Sequence, residues 1–321
     1  AGANSPGFSP DVTSYDYDAP INEAGQVTPK YMELREMLSG YSDKKLPSIP
    51  KEFPVINVPK IQFTEVAPLF ENLPAPHASM DIQTMEAFNQ GWGSILYRTK
   101  TPAVPTQSIL TITDAHDFAQ VFINGKLIGS IDRRNHEKTM LLPAMKEGDQ
   151  LDILVEAMGR INFGRAIKDF KGITEKVELS YTMNTGSQVT VNLKNWQIYT
   201  LSDSYQVQKD MKYVPLKDQK VPGCYRATFN LKKTGDTFLN LETWGKGQVY
   251  VNGHAIGRFW KIGPQQTLYM PGCWLKKGEN EIIVQDIVGP QETVVEGLSK
   301  PIIDKLNVDA PNTHRKEGQT L

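Results

Sequence analysis

The sequence predicts a mainly β protein built around two β-sandwiches of jelly-roll type. Three observations carry that expectation. From Val55 onward, Val and Ile alternate with polar residues in short runs punctuated by Gly, Pro and Asn. Asn-Gly pairs stand between such runs at Asn124-Gly125 and Asn252-Gly253. Both turn residues of a tight hairpin need positive φ, which this pair tolerates. The third observation is a repeat. Tyr97-Arg98 recurs as Tyr225-Arg226, Gln120 to Gly125 recurs as Gln248 to Gly253, and Ile128-Gly129 recurs as Ile256-Gly257, all at one offset (252 − 124 = 128). That period is too long for a solenoid and fits two copies of one domain.

Taken in order, residues 1–40 differ from the rest. DVTSYDYDAP (Asp11 to Pro20) reads as a short aromatic strand stopped by proline. Thr28 suits an N-cap and Pro29 the first helical position. Tyr31, Leu34 and Leu38 follow at helical spacing, and Gly40 supplies the stop. One strand–helix unit cannot bury its own faces, so it is expected to be the end of something larger. Residues 41–84, with Pro47, Pro50, Pro54 and Pro59, read as a linker with extended segments. The two sandwiches are expected over 85–205 and 206–300, and a tail over 301–321. Late in each copy a Gly-acidic turn opens an apolar run. Gly148-Asp149 with Leu151 to Glu156 is echoed by Gly278-Glu279 with Glu281 to Asp286, two residues out of phase with the main repeat.

Composition narrows the function classes. The chain has 321 residues and a formal net charge of −1, with no long block of one sign. That argues against nucleic acid as a partner. No apolar run approaches the roughly 18 residues of a membrane span, so no membrane partner is expected, and no secretory signal pattern opens the chain. Cys224 and Cys273 read as two buried free thiols, with a disulfide between them as the alternative. The five histidines are scattered and have no zinc spacing, so neither a metal nor a cofactor is implied.

Several stretches resemble family 35 glycoside hydrolases, the β-galactosidase family. GANSPGFSPDVTSYDYDAPINEAG (Gly2 to Gly25) is similar to the end of that family's catalytic barrel. GRINFGRAIKDFKGI (Gly159 to Ile173) resembles its first β-domain. WGKGQVYVNGHAIGRFW (Trp244 to Trp260), with Gly263-Pro264-Gln265 and Leu268-Tyr269, resembles its second. The resemblance implies the terminal strand and helix of a (β/α)₈ barrel followed by two galactose-binding-like jelly rolls. It implies a retaining exo-enzyme acting on terminal β-linked galactose. Its two catalytic glutamates sit on barrel strands ahead of the YDYD segment, so no residue of this sequence is expected to be catalytic. The implied partners are terminal β-galactosides and the barrel portion itself, with association of copies left open. The implied location is secreted, periplasmic or lysosomal.

The same resemblance implies substrate contacts. Barrel sites gather at the C-terminal ends of strands, and the second Tyr of the YDYD segment, Tyr17, is the residue expected to touch galactose, with Tyr15 and Asp16 behind it. Phe163 stands where the family commonly has Tyr. It loses the hydroxyl and is expected chiefly to pack. Asp16 and Asp18 are too close in sequence to flank a glycosidic bond at the ~5–5.5 Å that a retaining pair needs. The five tryptophans are expected in cores or between domains, and Arg160 and Arg258 in inter-domain pairs. Two other classes stay open: a stand-alone carbohydrate-binding protein and an interaction module without a sugar role.

Overall fold

The alternating apolar pattern folds into paired sheets in which every second side chain turns inward. The computed structural model describes residues 2–4, 7–10 and 18–307. They form two units, each a six-stranded sheet and a four-stranded sheet with an apolar core. The first unit comprises Leu73–Asp203 with the opening strands Gly2–Asn4 and Phe8–Pro10. The second comprises Asp18 to Asn72 and Ser204 to Asn307.

In the first unit the six strands lie in the order Lys126–Asp132, Phe118–Ile123, Gln150–Ala157, Gly93–Lys100, Trp196–Leu201, His77–Ser79. The four are Thr139–Leu142, Ser108–Ile112, Val177–Thr182, Gln188–Asn192. Ile95, Tyr97, Leu110, Val121, Ile153 and Trp196 fill the core. In the second unit the corresponding orders are His254–Trp260, Lys246–Val251, Gly278–Asp286, Gly223–Leu231, Glu65–Pro68, Val214–Pro215, and Thr267–Met270, Thr237–Asn240, Val294–Leu298, Val58–Gln62. Strand matches strand across both sheets. The chain order differs for one pair. The neighbours Gln188–Asn192 and Trp196–Leu201 close the first unit from its C-terminal side, whereas Val58–Gln62 and Glu65–Pro68 fill the same places from the N-terminal side. The second sandwich is thus a circular permutation of the first.

The repeat has a local cause in each motif. Asn124 and Asn252 have φ of 48° and 49°, followed by Gly125 at 79° and Gly253 at 89°, the double positive-φ geometry of a two-residue hairpin. Asn124 Oδ1 accepts the Gln150 N–H at 2.9 Å, and Asn252 Oδ1 accepts the Glu281 N–H at 3.1 Å. Ile128 and Ile256 are the extra residues of equivalent bulges, between Leu127 and Gly129 and between Ala255 and Gly257. In the structure these asparagine bonds link partners three residues further apart in the second copy (281 − 150 = 131), so the later strands are three residues out of phase with the main repeat, one more than the sequence echo suggests.

The stretch expected as a linker is corrected in part. Val58, Ile61, Phe63, Val66 and Ala67 are buried, and their strands complete both sheets of the second unit. Pro59 hid this. It sits on an exposed position of an edge strand, where a missing N–H costs no ladder bond.

The helix forms at Pro29–Ser39, but its ends differ from expectation. The Thr28 hydroxyl donates to the Ala19 and Pro20 carbonyls instead of accepting from the first turn. Gly40 stays right-handed at φ −73°. The helix buries no residue, and Met32, Leu34, Met37 and Leu38 are exposed. The cysteines are free, with Cys224 buried and Cys273 exposed, not both buried. Trp196 and Trp244 are core residues, as expected, while Trp92 is 71% exposed.

Candidate functional site

The opening strands and a short strand of the first unit outside its two main sheets build the site together. Gly2–Asn4 pairs antiparallel with Phe8–Pro10, as Asn4 with Phe8 and Gly2 with Pro10. On its other side it pairs parallel with Ile161–Gly164, placing Ala3 opposite Phe163. Phe163 is 70% exposed, so the packing role expected of it is not what the structure gives. Ile161–Gly164, Gly2–Asn4 and Phe8–Pro10 thus form a three-stranded sheet in that order. Tyr15, Asp16 and Tyr17 lie outside the described residues, seven or fewer positions after Pro10.

Phe8 fixes this hairpin. Its ring is buried, with the Arg133 guanidinium 4.4 Å and the Lys171 ammonium 5.1 Å from its centroid. Cations over a ring face are attracted to its negative quadrupole. Both cations are held from behind by carboxylates. Lys171 Nζ donates to Asp117 Oδ2 at 2.6 Å and lies 2.7 Å from Asp169 Oδ2. Arg133 Nη1 donates to Asp117 Oδ1 at 2.7 Å and lies 2.9 Å from Asp169 Oδ1. The Met158 N–H donates to Asp117 at 2.8 Å. His116 completes the cluster, with Nδ1 2.5 Å from the Phe170 carbonyl and Nε2 3.0 Å from Asp114 Oδ2.

The charges explain why this cluster can be buried. Burial alone would push the Asp169 carboxyl up. The Lys171 hydrogen bond and the charges of Lys171, Arg133 and His116 outweigh it and hold Asp169 below the usual carboxylate range. The hydrogen bond from His116, helped by Thr174 against partial burial, brings Asp114 down to about 2. Asp117 and Asp169 therefore share two cations and are closed off from solvent. They cannot be the paired acid and nucleophile of a retaining glycosidase, which need one protonated carboxyl and one free carboxylate facing the sugar. The cluster is a clamp for Phe8.

Arg160 supports the same region. It donates to Glu86 Oε1 at 2.6 Å, to the Gly91 carbonyl at 2.7 and 3.0 Å, and to the Asp169 carbonyl at 3.1 Å. All these partners lie within the first unit, so the inter-domain pairing expected for Arg160 is replaced by an internal one. One guanidinium thereby ties the stretch bearing exposed Trp92 to the strand bearing exposed Phe163.

The clamp residues were not legible as a site. Asp117 and Asp169 are far apart in sequence, and only folding brings them to one lysine. The available signal was the density of charge at Asp114 to Asp117 and Lys168 to Lys171, between apolar runs.

Three family matches lie along the chain. Residues 1–41 match glycosyl hydrolases family 35, residues 83–202 match the beta-galactosidase first all-beta domain, and residues 222–280 match the beta-galactosidase galactose-binding domain. Beta-galactosidase-1-like protein 3 of Rattus norvegicus is 35% identical over 85% of this chain and 43% of that protein. The beta-galactosidase of Xanthomonas manihotis is 33% identical over 82% of this chain and 42% of its own length. Beta-galactosidase 1 of Dictyostelium discoideum is 32% identical over 95% and 49%. The chain spans about half the length of the curated relatives it matches. With family 35, first all-beta and galactose-binding segments in one order, it belongs to glycosyl hydrolase family 35 and corresponds to the C-terminal portion of its β-galactosidases.

Proposed function

We propose that this chain is the non-catalytic part of a retaining exo-β-galactosidase, supporting the barrel and supplying one side of its galactose pocket. The observation that carries the reading is the seating of the family 35 segment. Phe8, a few residues before Tyr15 and Tyr17, is clamped on the first sandwich by Arg133 and Lys171, and the paired strand brings Phe163 alongside. A sandwich that grips the base of a pocket segment can hold that segment in register with the rest of the pocket. Tyr17 touches the sugar, Tyr15 and Asp16 stand behind it, and Phe163 offers an apolar wall at the entrance. Catalysis belongs to two glutamates of the barrel.

The reading is tested by kinetics on this chain joined to the N-terminal portion of a family 35 relative. Tyr17→Phe should cost about 1–2 kcal/mol of transition-state binding, the worth of one hydrogen bond. Phe163→Ala should raise KM with kcat little changed, since an entrance wall binds ground and transition states alike. A Tyr17→Phe enzyme within about twofold of the parent in kcat/KM, well under the tenfold of 1.4 kcal/mol, would remove Tyr17 from the pocket.

A further inference from the structure

A net charge near zero conceals a local concentration of positive charge at one end of the second sandwich. Strands Gly223–Leu231 and Gly278–Asp286 pair until Leu231 meets Gly278. Lys232-Lys233 therefore leave that end of the ladder where Lys276-Lys277 arrive. The two loops are tied together, because the Gly272 N–H donates to Asp236 Oδ1 at 2.7 Å. All four lysines are exposed, and among the described residues none makes an ion pair. Asp236, the nearby acid on the first loop, is buried and accepts from the Gly272 N–H. Glu279 is the exposed acid that remains beside them.

A flat ring surface adjoins these lysines. The Asn252-Gly253 hairpin tip reaches the second loop, where Asn252 Nδ2 donates to the Trp274 carbonyl at 2.8 Å. The next residue, His254, stacks on Trp274 with centroids 4.5 Å apart and planes 7° from parallel. Trp274 is half-buried and packs on the core, whereas His254 is exposed.

Four like charges gathered at one end of the sandwich repel one another. We propose that this end of the second sandwich binds a sulfated polysaccharide. Ammonium groups are compact charges on flexible stems, and they suit single sulfate esters spaced along a polymer better than groups calling for a bidentate fork. The outer face of the stacked ring pair fits the C–H face of a pyranose, whose weakly positive hydrogens meet the negative face of the ring. This surface rests on charge and ring placement alone and stands or falls apart from the galactosidase reading.

The test is fluorescence anisotropy of labelled dextran sulfate, unsulfated dextran and a single-stranded DNA oligonucleotide with the 321-residue chain. Dextran sulfate should bind and weaken by about tenfold or more from low to high salt, as exposed charges are screened. Unsulfated dextran should not bind measurably. The double variant Lys232→Glu/Lys276→Glu should lose about tenfold or more, with unchanged melting because both side chains are solvated. The charge-matched control Lys44→Glu/Lys45→Glu should stay within about twofold of the parent. His254→Ala should weaken dextran sulfate binding by about threefold or more while the salt response persists. The proposal is overturned by absence of dextran sulfate binding, by DNA binding as tightly, or by an equal loss in the control variant.

Discussion

Lys171 is the residue on which the clamp turns, because one ammonium neutralises Asp117 and Asp169 together. Removing one partner of a buried ion network leaves uncompensated charge, at a cost of about 3–5 kcal/mol. Lys171→Met is therefore expected to lower stability of the first sandwich by that order in a denaturant titration. Asp203 makes a pH-dependent case. Burial pushes its carboxyl up to about 6, and its oxygens lie 2.7 Å from where a side chain on Gly93 would begin. A raised folded value means that the protonated form suits the fold. Its contribution is fully present below the ordinary value near 4 and is lost as pH rises through about 6. Asp203→Asn should thus stabilise the protein by about 1–3 kcal/mol at pH 8 and change little at pH 4. Melting curves at the two pH values check the sign; an equal effect at both would disprove it. The hairpin asparagines were legible from sequence because Asn-Gly has one dominant use. Lys171 was not, since the second Lys of KDFK reads as surface until Asp117 arrives from a distant part of the chain.

The N-terminal hairpin and the helix Pro29–Ser39 invite opposite expectations. The hairpin is anchored by Phe8, so Phe8→Ala should speed amide exchange at Ala3 and Asn4 by about tenfold or more, while Val121 and Leu154 keep their protection. Equal exchange in the two proteins would mean that the strand pairing alone holds it. The helix Pro29–Ser39 buries no residue and lacks a side-chain cap. An isolated helix of this length is marginal in water. Its amides should exchange far faster than those of Gly278–Asp286, and equal protection would contradict the view that its apolar residues await another surface. The helix was predictable because its spacing is local. The alternation of Val58–Gln62 and Glu65–Pro68 was legible, but their place in the second sandwich was not, because the prolines around them read as a linker although edge placement makes Pro59 harmless.

The permuted duplication governs the whole chain. Each sandwich needs the same ten strands, but the second takes two of them from before the first begins. A fragment of residues 204–307 would lack Val58–Gln62 and Glu65–Pro68 and expose Tyr225 and Val295, both buried in the intact chain. It is expected to melt without cooperativity, and adding a peptide of residues 54–72 should restore a transition. Cooperative melting of the fragment alone would show those strands to be dispensable. The repeat offset made the two copies legible from sequence. The permutation was not, because the exchanged strand pair shares no motif between copies. The measurement that bears most directly on the central claim is hydrolysis of a chromogenic β-galactoside by the 321-residue chain alone and joined to the N-terminal portion of a family 35 relative. The joined protein should turn over substrate with retention and the chain alone should not exceed buffer, whereas turnover by the chain alone would contradict the assignment of catalysis to the barrel.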